Sequence, residues 1–193
     1  MKIVLSKERE IVKILFKDFT REYNSRNISP EIGLTHSGAF RALKKLQERE
    51  IVKSKEVGKA RIYTLNLDNP VTKTEIDAIL TIEAGNHQRW IEEFKQLEEK
   101  VRFAVLFGSI TKNEKEARDI DLFIVADKSK YKEIRDIINN KNAILLKKIH
   151  LIYQIPKDFK LELKRKNAVI IEMIKTGIVL FGQAEFRKMV AEK

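Results

Sequence analysis

The spacing of the apolar residues changes at Val101, and that change constrains the fold more than any other feature. Before it, Ile11, Ile14, Leu15 and Phe19 recur at helical intervals behind Ser6, a good N-cap, which predicts a helix over about 6–23. A short helix is expected from Ser29, with Pro30 as its first residue and Gly33 and Thr35 as punctuation. Phe40, Leu43 and Leu46 then mark the buried face of a third helix over about 36–49. The runs IVKSKEV and ARIYTLN alternate like hairpin strands on either side of Gly58 and Lys59. The stretch NLDNPVTK at 66–73 reads as a boundary, with a helix starting at Thr72 or Thr74. Helical spacing continues to about residue 100 through Ile76, Ile79, Leu80, Trp90, Ile91, Phe94 and Leu97, divided near Gly85 and Asn86; Trp90 is expected as core between the two halves.

After Val101 the apolar runs are strand-like: VRFAVLFGS, DIDLFIVA and AILLKKIHLIYQI, with a helical YKEIRDIINN before the third. A helix over about 158–176 ending at Gly177, a short strand IVLF and a helix from Ala184 complete the chain. The expectation is therefore an α+β protein: a winged helix-turn-helix, from three helices and a hairpin, followed by a small α/β domain with a mixed sheet. One face of that sheet is expected to carry helices. The predicted division is 1–68, a helical linker 69–100, and 101–193.

Composition narrows the chemistry. The 193 residues contain no cysteine, which excludes disulfide frameworks, cysteine zinc fingers and thiol nucleophiles, and the histidines are His36, His87 and His150. A net charge of +11 points to an acidic partner, nucleic acid first. The apolar start from Ile3 to Leu5 is too short for a signal peptide, and no run approaches membrane-spanning length, so a cytoplasmic protein without a membrane partner is expected. The Lys and Glu content also suits a thermophile.

The chemically informative pattern is Leu106-Phe107-Gly108-Ser109, nine residues, then Asp119-Ile120-Asp121. Residues i and i+2 of a strand share a face, so the two carboxylates project together and repel unless a cation neutralises them. Oxygen ligands of this kind suit Mg2+ (or Mn2+) that is also held by substrate phosphates. Gly108 lets a backbone approach a phosphate, and Ser109 can donate hydrogen bonds to it. Together these fit metal-assisted attack on the α-phosphate of a nucleoside triphosphate.

FGSITKNEKEARDIDLFIV resembles the signature of polymerase-beta-type nucleotidyltransferases, especially the small, minimal branch found as antitoxins and in archaea, and KTGIVLFGQAEF resembles the closing segment of such domains. The resemblance covers roughly 100–187. It implies that Gly108 and Ser109 take the triphosphate and that Asp119 and Asp121 hold metal. Active members carry a third carboxylate on the next, antiparallel strand. Here that strand reads KKIHLIYQI, with Lys148, His150, Ile152 and Gln154 on one face, and His150 takes the carboxylate's place as candidate base or ligand.

EIGLTHSGAFRALKKLQEREIVKSKEVGKARIYTLN resembles the turn, recognition helix and wing of DNA-binding winged helices. In a major-groove docking the helix N-terminus with His36 and Ser37 would meet bases and Lys44 and Lys45 would meet phosphates, with Arg41 opposite the buried face, while Lys59 and Arg61 on the wing would reach the backbone or minor groove.

Two functions follow. One is Mg2+-dependent transfer of a nucleoside monophosphate from a triphosphate to a hydroxyl, on a protein, an RNA end or a small molecule, by a domain tethered to duplex DNA. The other is a transcriptional regulator whose inactive nucleotidyltransferase domain senses nucleotide or serves protein interaction, homodimerisation included; the absent third carboxylate favours it. Plainer readings stand beside both: a solvated strand end at Asp119 and Asp121, an ordinary strand histidine at 150, a solvated loop at Lys112, Lys115 and Arg118, and a solvated basic face that binds protein.

Overall fold

The computed structural model describes residues 3–192, so the outermost positions of the predicted division (1, 2 and 193) lie outside it. The chain divides into two compact units between Ile79 and Leu80, within one helix.

In the first unit Ser6 caps α1 (Lys7–Lys17), its Oγ accepting from the Arg9 amide at 3.3 Å. The helix stops at Lys17 and does not reach 23. Asp18 turns the chain and accepts the buried Tyr23 hydroxyl at 2.7 Å, and Tyr23 bridges to Tyr63. Burial, then the Asp18 carboxylate, pushes the Tyr23 phenol up to about 12.

Helix α2 (Ser25–Glu31) begins before the predicted Ser29, because Asn24 and Asn27 form a reciprocal capping box. Pro30 therefore lies in its last turn, and the Arg26 carbonyl takes the Ser29 hydroxyl at 2.9 Å. Helix α3 (His36–Glu48) is capped by Thr35 and ends in a Schellman turn with Glu50 left-handed. Its buried face is Ala39, Ala42, Leu43 and Leu46; Phe40, predicted to be core, is 42% exposed. Strands β1 (Val52–Val57) and β2 (Ala60–Leu65) form the antiparallel hairpin. Helix α4 (Pro70–Gly85) starts at Pro70, earlier than Thr72, since a proline suits a first turn whose N–H groups have no helical partner.

In the second unit α5 (Gln88–Phe94) and a 3-10 turn (Lys95–Lys100) precede β3 (Phe103–Phe107), β4 (Asp119–Val125), α6 (Tyr131–Ile144) and β5 (Lys148–Gln154). The predicted 158–176 helix is two helices, α7 (Pro156–Lys164) and α8 (Ala168–Thr176). A Schellman turn with Lys166 left-handed ends the first, and Asn167 caps the second. Strand β6 (Ile178–Phe181) and α9 (Gln183–Ala191) follow.

The sheet is mixed, in the order β5-β4-β3-β6. Strand β3 is antiparallel to β4 and β6, whereas β5 runs parallel to β4, not antiparallel as the resemblance implies. Parallel neighbours need a long crossover, and α6 supplies it. Both faces of the sheet are covered, where one was expected. Ala104, Leu106, Leu122 and Ile124 pack with Trp90, Phe94, Leu97, Ile134 and Ile138, so Trp90 belongs to this unit's own core. On the opposite face Phe103 meets Phe159 of α7 and Phe186 of α9, each with ring centroids 5.2 Å away. Asp119 and Asp121 alternate onto this second face, ahead of the aromatic cluster. No helix among the described residues is long and apolar enough to cross a membrane.

Candidate functional site

Strand β3 ends at Phe107, which pairs with Asp121 across the sheet. Gly108 follows at φ +77°, and a Cβ there would overlap the Asp121 carboxylate. Only glycine gives both the left-handed backbone and the space. Ser109 opens a 3-10 turn and is exposed, and its carbonyl accepts the Lys112 and Asn113 amides at 3.0 Å. The spacer that leads to Asp119 is tied down by Lys147, whose Nζ donates to the carbonyls of Glu114 and, at 2.5 Å, Ala117. Arg89 pairs with Glu114 in the same loop. Lys112, Lys115 and Arg118 are exposed along it.

His150 on β5 lies in register with Asp121. Its Nδ1 is 3.4 Å from Asp119 Oδ2 and 3.7 Å from Asp121 Oδ1. One ligand atom from each of the three residues falls within 4.8 Å of the others, a cluster that could coordinate a divalent cation. Burial, then the neighbouring Asp119 charge, raises the Asp121 carboxyl above the usual range, while His150 pulls it back. The carboxylates thus sit at a strand start without a full counter-charge, and a divalent cation would relieve both penalties. Lys148, in register with Asp119, donates instead to the Asn142 carbonyl at 2.6 Å.

The sequence-predicted basic residues of the first unit divide into groups. His36, Lys59 and Arg61 line one concavity of about 990 Å³ between α2, α3 and the hairpin, and Ser25 Oγ lies 2.9 Å from His36 Nε2. Arg61 pairs with Glu56 at 3.1 Å. Lys44 lines an adjoining hollow with Phe40 and Arg61. Lys45 faces another depression, 4.0 Å from Glu8. Ser37 and Arg41 are exposed on α3 and line none of these concavities. Sequence reasoning missed Arg26 and Phe40, which line the first concavity. The Asn24 to Asn27 capping spacing could have placed Arg26 on a helix. Nothing in the apolar spacing distinguishes Phe40 from core.

A mixed sheet with a glycine-serine turn at the end of β3 and paired carboxylates on β4 defines a nucleotidyltransferase-like domain. The family model "Polymerase beta, Nucleotidyltransferase" matches residues 89–186, half of the chain, and the chain belongs to that family. No curated protein matches it. Among solved structures, wild-type Lactococcus lactis ZitR is 22% identical over 51% of this chain and 62% of that one, with a TM-score of 0.30. The same protein in complex with DNA is 20% identical over 51% and 64%, with a TM-score of 0.31. A structure described as a zinc-responsive MarR family member, again Lactococcus lactis ZitR, is 18% identical over 51% and 65%, with a TM-score of 0.32. The chain thus spans less than two thirds of these structures' length, a partial likeness from which nothing about function follows.

Proposed function

We propose that this protein is a DNA-binding transcriptional regulator whose nucleotidyltransferase domain, of the minimal, antitoxin-type branch, holds a divalent cation and a nucleoside triphosphate without transferring nucleotide. In this reading residues 1–68 bind duplex DNA, 69–100 are a helical linker and 101–193 form the nucleotide-binding domain. The observation that carries it is that His150, and not a carboxylate, stands in register with Asp121 beside the aspartate pair. Two carboxylates balance one divalent cation; transfer with two metal ions needs more negative charge than a neutral imidazole supplies. Gly108 and Ser109 would receive the phosphates, and Asp119 and Asp121 the cation. His36, Ser37, Arg41, Lys44, Lys45, Lys59 and Arg61 would meet the duplex.

A second reading, transfer with one metal ion, is favoured by one feature: His150 Nδ1 lies within 3.7 Å of both carboxylates on a side chain that is 63% exposed. It could accept the proton of a hydroxyl acceptor as that oxygen bonds to the α-phosphorus and pyrophosphate departs. A pyrophosphate-release assay on the full chain with Mg2+ or Mn2+, supplied with each nucleoside triphosphate, separates the two. The regulator reading expects no release above the blank. Sustained release abolished by Asp119→Asn and His150→Gln would replace it with the second.

A further inference from the structure

We infer that the site formed by Asp119, Asp121 and His150 selects a borderline metal of the Zn2+ or Co2+ class over Mg2+, with His150 supplying a nitrogen ligand. This rests on the reading of the aspartate pair as a cation site and names the ion that it takes. Donor chemistry is the first reason. Mg2+ takes oxygen almost exclusively and gives up its waters reluctantly, whereas imidazole suits Zn2+, Co2+ and their neighbours. Replacing a carboxylate by a histidine therefore lowers the affinity for Mg2+ and raises it for the later metals.

Spacing is the second reason. Ligand atoms bound at about 2.1 Å stand about 3.4 Å apart at tetrahedral angles, but only about 3.0 Å apart at the right angles of an octahedral Mg2+. His150 Nδ1 is 3.4 Å from Asp119 Oδ2 and 3.7 Å from Asp121 Oδ1, with ligand atoms of all three residues within 4.8 Å of one another, so the two imidazole edges lie nearer the tetrahedral than the octahedral value. The three ligands come from fixed strand positions: Asp119 and Asp121 from β4, and His150 from β5 directly beside Asp121. Lys148, the neighbouring cation in register with Asp119, is drawn off to the Asn142 carbonyl. Three protein ligands leave a fourth position for water or a phosphate oxygen, the arrangement that Zn2+ adopts in open sites.

The test is calorimetric titration of the full, tag-free chain with ZnCl2, CoCl2 and MgCl2, together with the visible spectrum of the Co2+ complex. Zn2+ and Co2+ should bind at least ~100-fold more tightly than Mg2+, and the Co2+ complex should show the intense visible bands of a four-coordinate ion. His150→Asp should cut that preference to below about tenfold and weaken the bands. His150→Gln, which keeps the side chain neutral, should lose Zn2+ affinity without gaining Mg2+. His87→Gln should change nothing. Mg2+ bound as tightly as Zn2+, in a manner that needs Asp119, would overturn the metal assignment while leaving the cation site standing. The absence of any divalent binding would overturn both.

Discussion

The two halves carry nearly equal excess charge, +6 over residues 1–70 and +5 over 71–193, yet they hold their candidate site charges in opposite ways. In the winged helix the cations are on long, exposed side chains, and several already lean on a neighbour: Arg61 on Glu56, Lys44 on Glu48, Lys45 on Glu8. In the nucleotidyltransferase domain two short carboxylates are fixed by strand register, by the space that Gly108 leaves and by a spacer held through Lys147. A surface of the first kind spreads its binding free energy over many weak, salt-screened contacts. A site of the second kind concentrates it in a few atoms. Single substitutions should therefore act very unequally in the two halves.

The largest expected effect is at Gly108. Gly108→Ala would drive a methyl into the Asp121 carboxylate and strain a left-handed backbone. It should cost about 2–4 kcal/mol in thermal or denaturant unfolding and abolish cation-dependent nucleotide binding. Gly58→Ala is the matched control in the hairpin turn. It shares the positive φ but has nothing within 4 Å of the added Cβ, and should cost only about 1 kcal/mol. Equal costs would break the contrast between a packed site and an open turn.

Asp121→Asn comes next, with a loss of about 10- to 100-fold in divalent-cation affinity by calorimetry. The cation-free protein should respond in the opposite sense. Because the folded Asp121 carboxyl is raised above its unfolded value, its contribution to stability is fully present below the unfolded pKa and is lost as pH rises through the folded one. The melting temperature of Asp121→Asn relative to the parent should therefore increase between acid and neutral pH. A constant difference would mean that the carboxylate is not held at a cost.

Smaller effects belong to the basic face. Arg61→Ala and Lys44→Ala should each weaken duplex binding severalfold and reduce the slope of log affinity against log salt by about one. Lys45→Ala should be the weakest of the three, since Lys45 faces a separate depression beside Glu8. A fluorescence titration at several salt concentrations ranks them, and a reversed order would relocate the duplex.

What the sequence made legible follows the same division. Strand alternation placed Asp119 and Asp121 on one face, because a period of two leaves little freedom once the strand is recognised; His150 was placed beside them only by the family resemblance, and it stands in register with Asp121. Local alternation carries no information on strand direction, so the parallel pairing of β5 emerged only with the α6 crossover. Helix ends were less legible where side chains decided them: the Asn24 and Asn27 box moved α2 forward, and the left-handed Lys166 split a run whose apolar spacing reads as continuous. Phe40 was misassigned because helical spacing identifies an apolar stripe but not which residue at its margin faces outward.

The most direct test of the central claim is equilibrium binding of a labelled nucleoside triphosphate to the full chain, with and without a divalent cation, in the parent and in Asp119→Asn. Saturable binding strengthened at least ~10-fold by the cation, and lost with Asp119, is the predicted result. Binding that ignores both the cation and Asp119, or no binding at all, would contradict it.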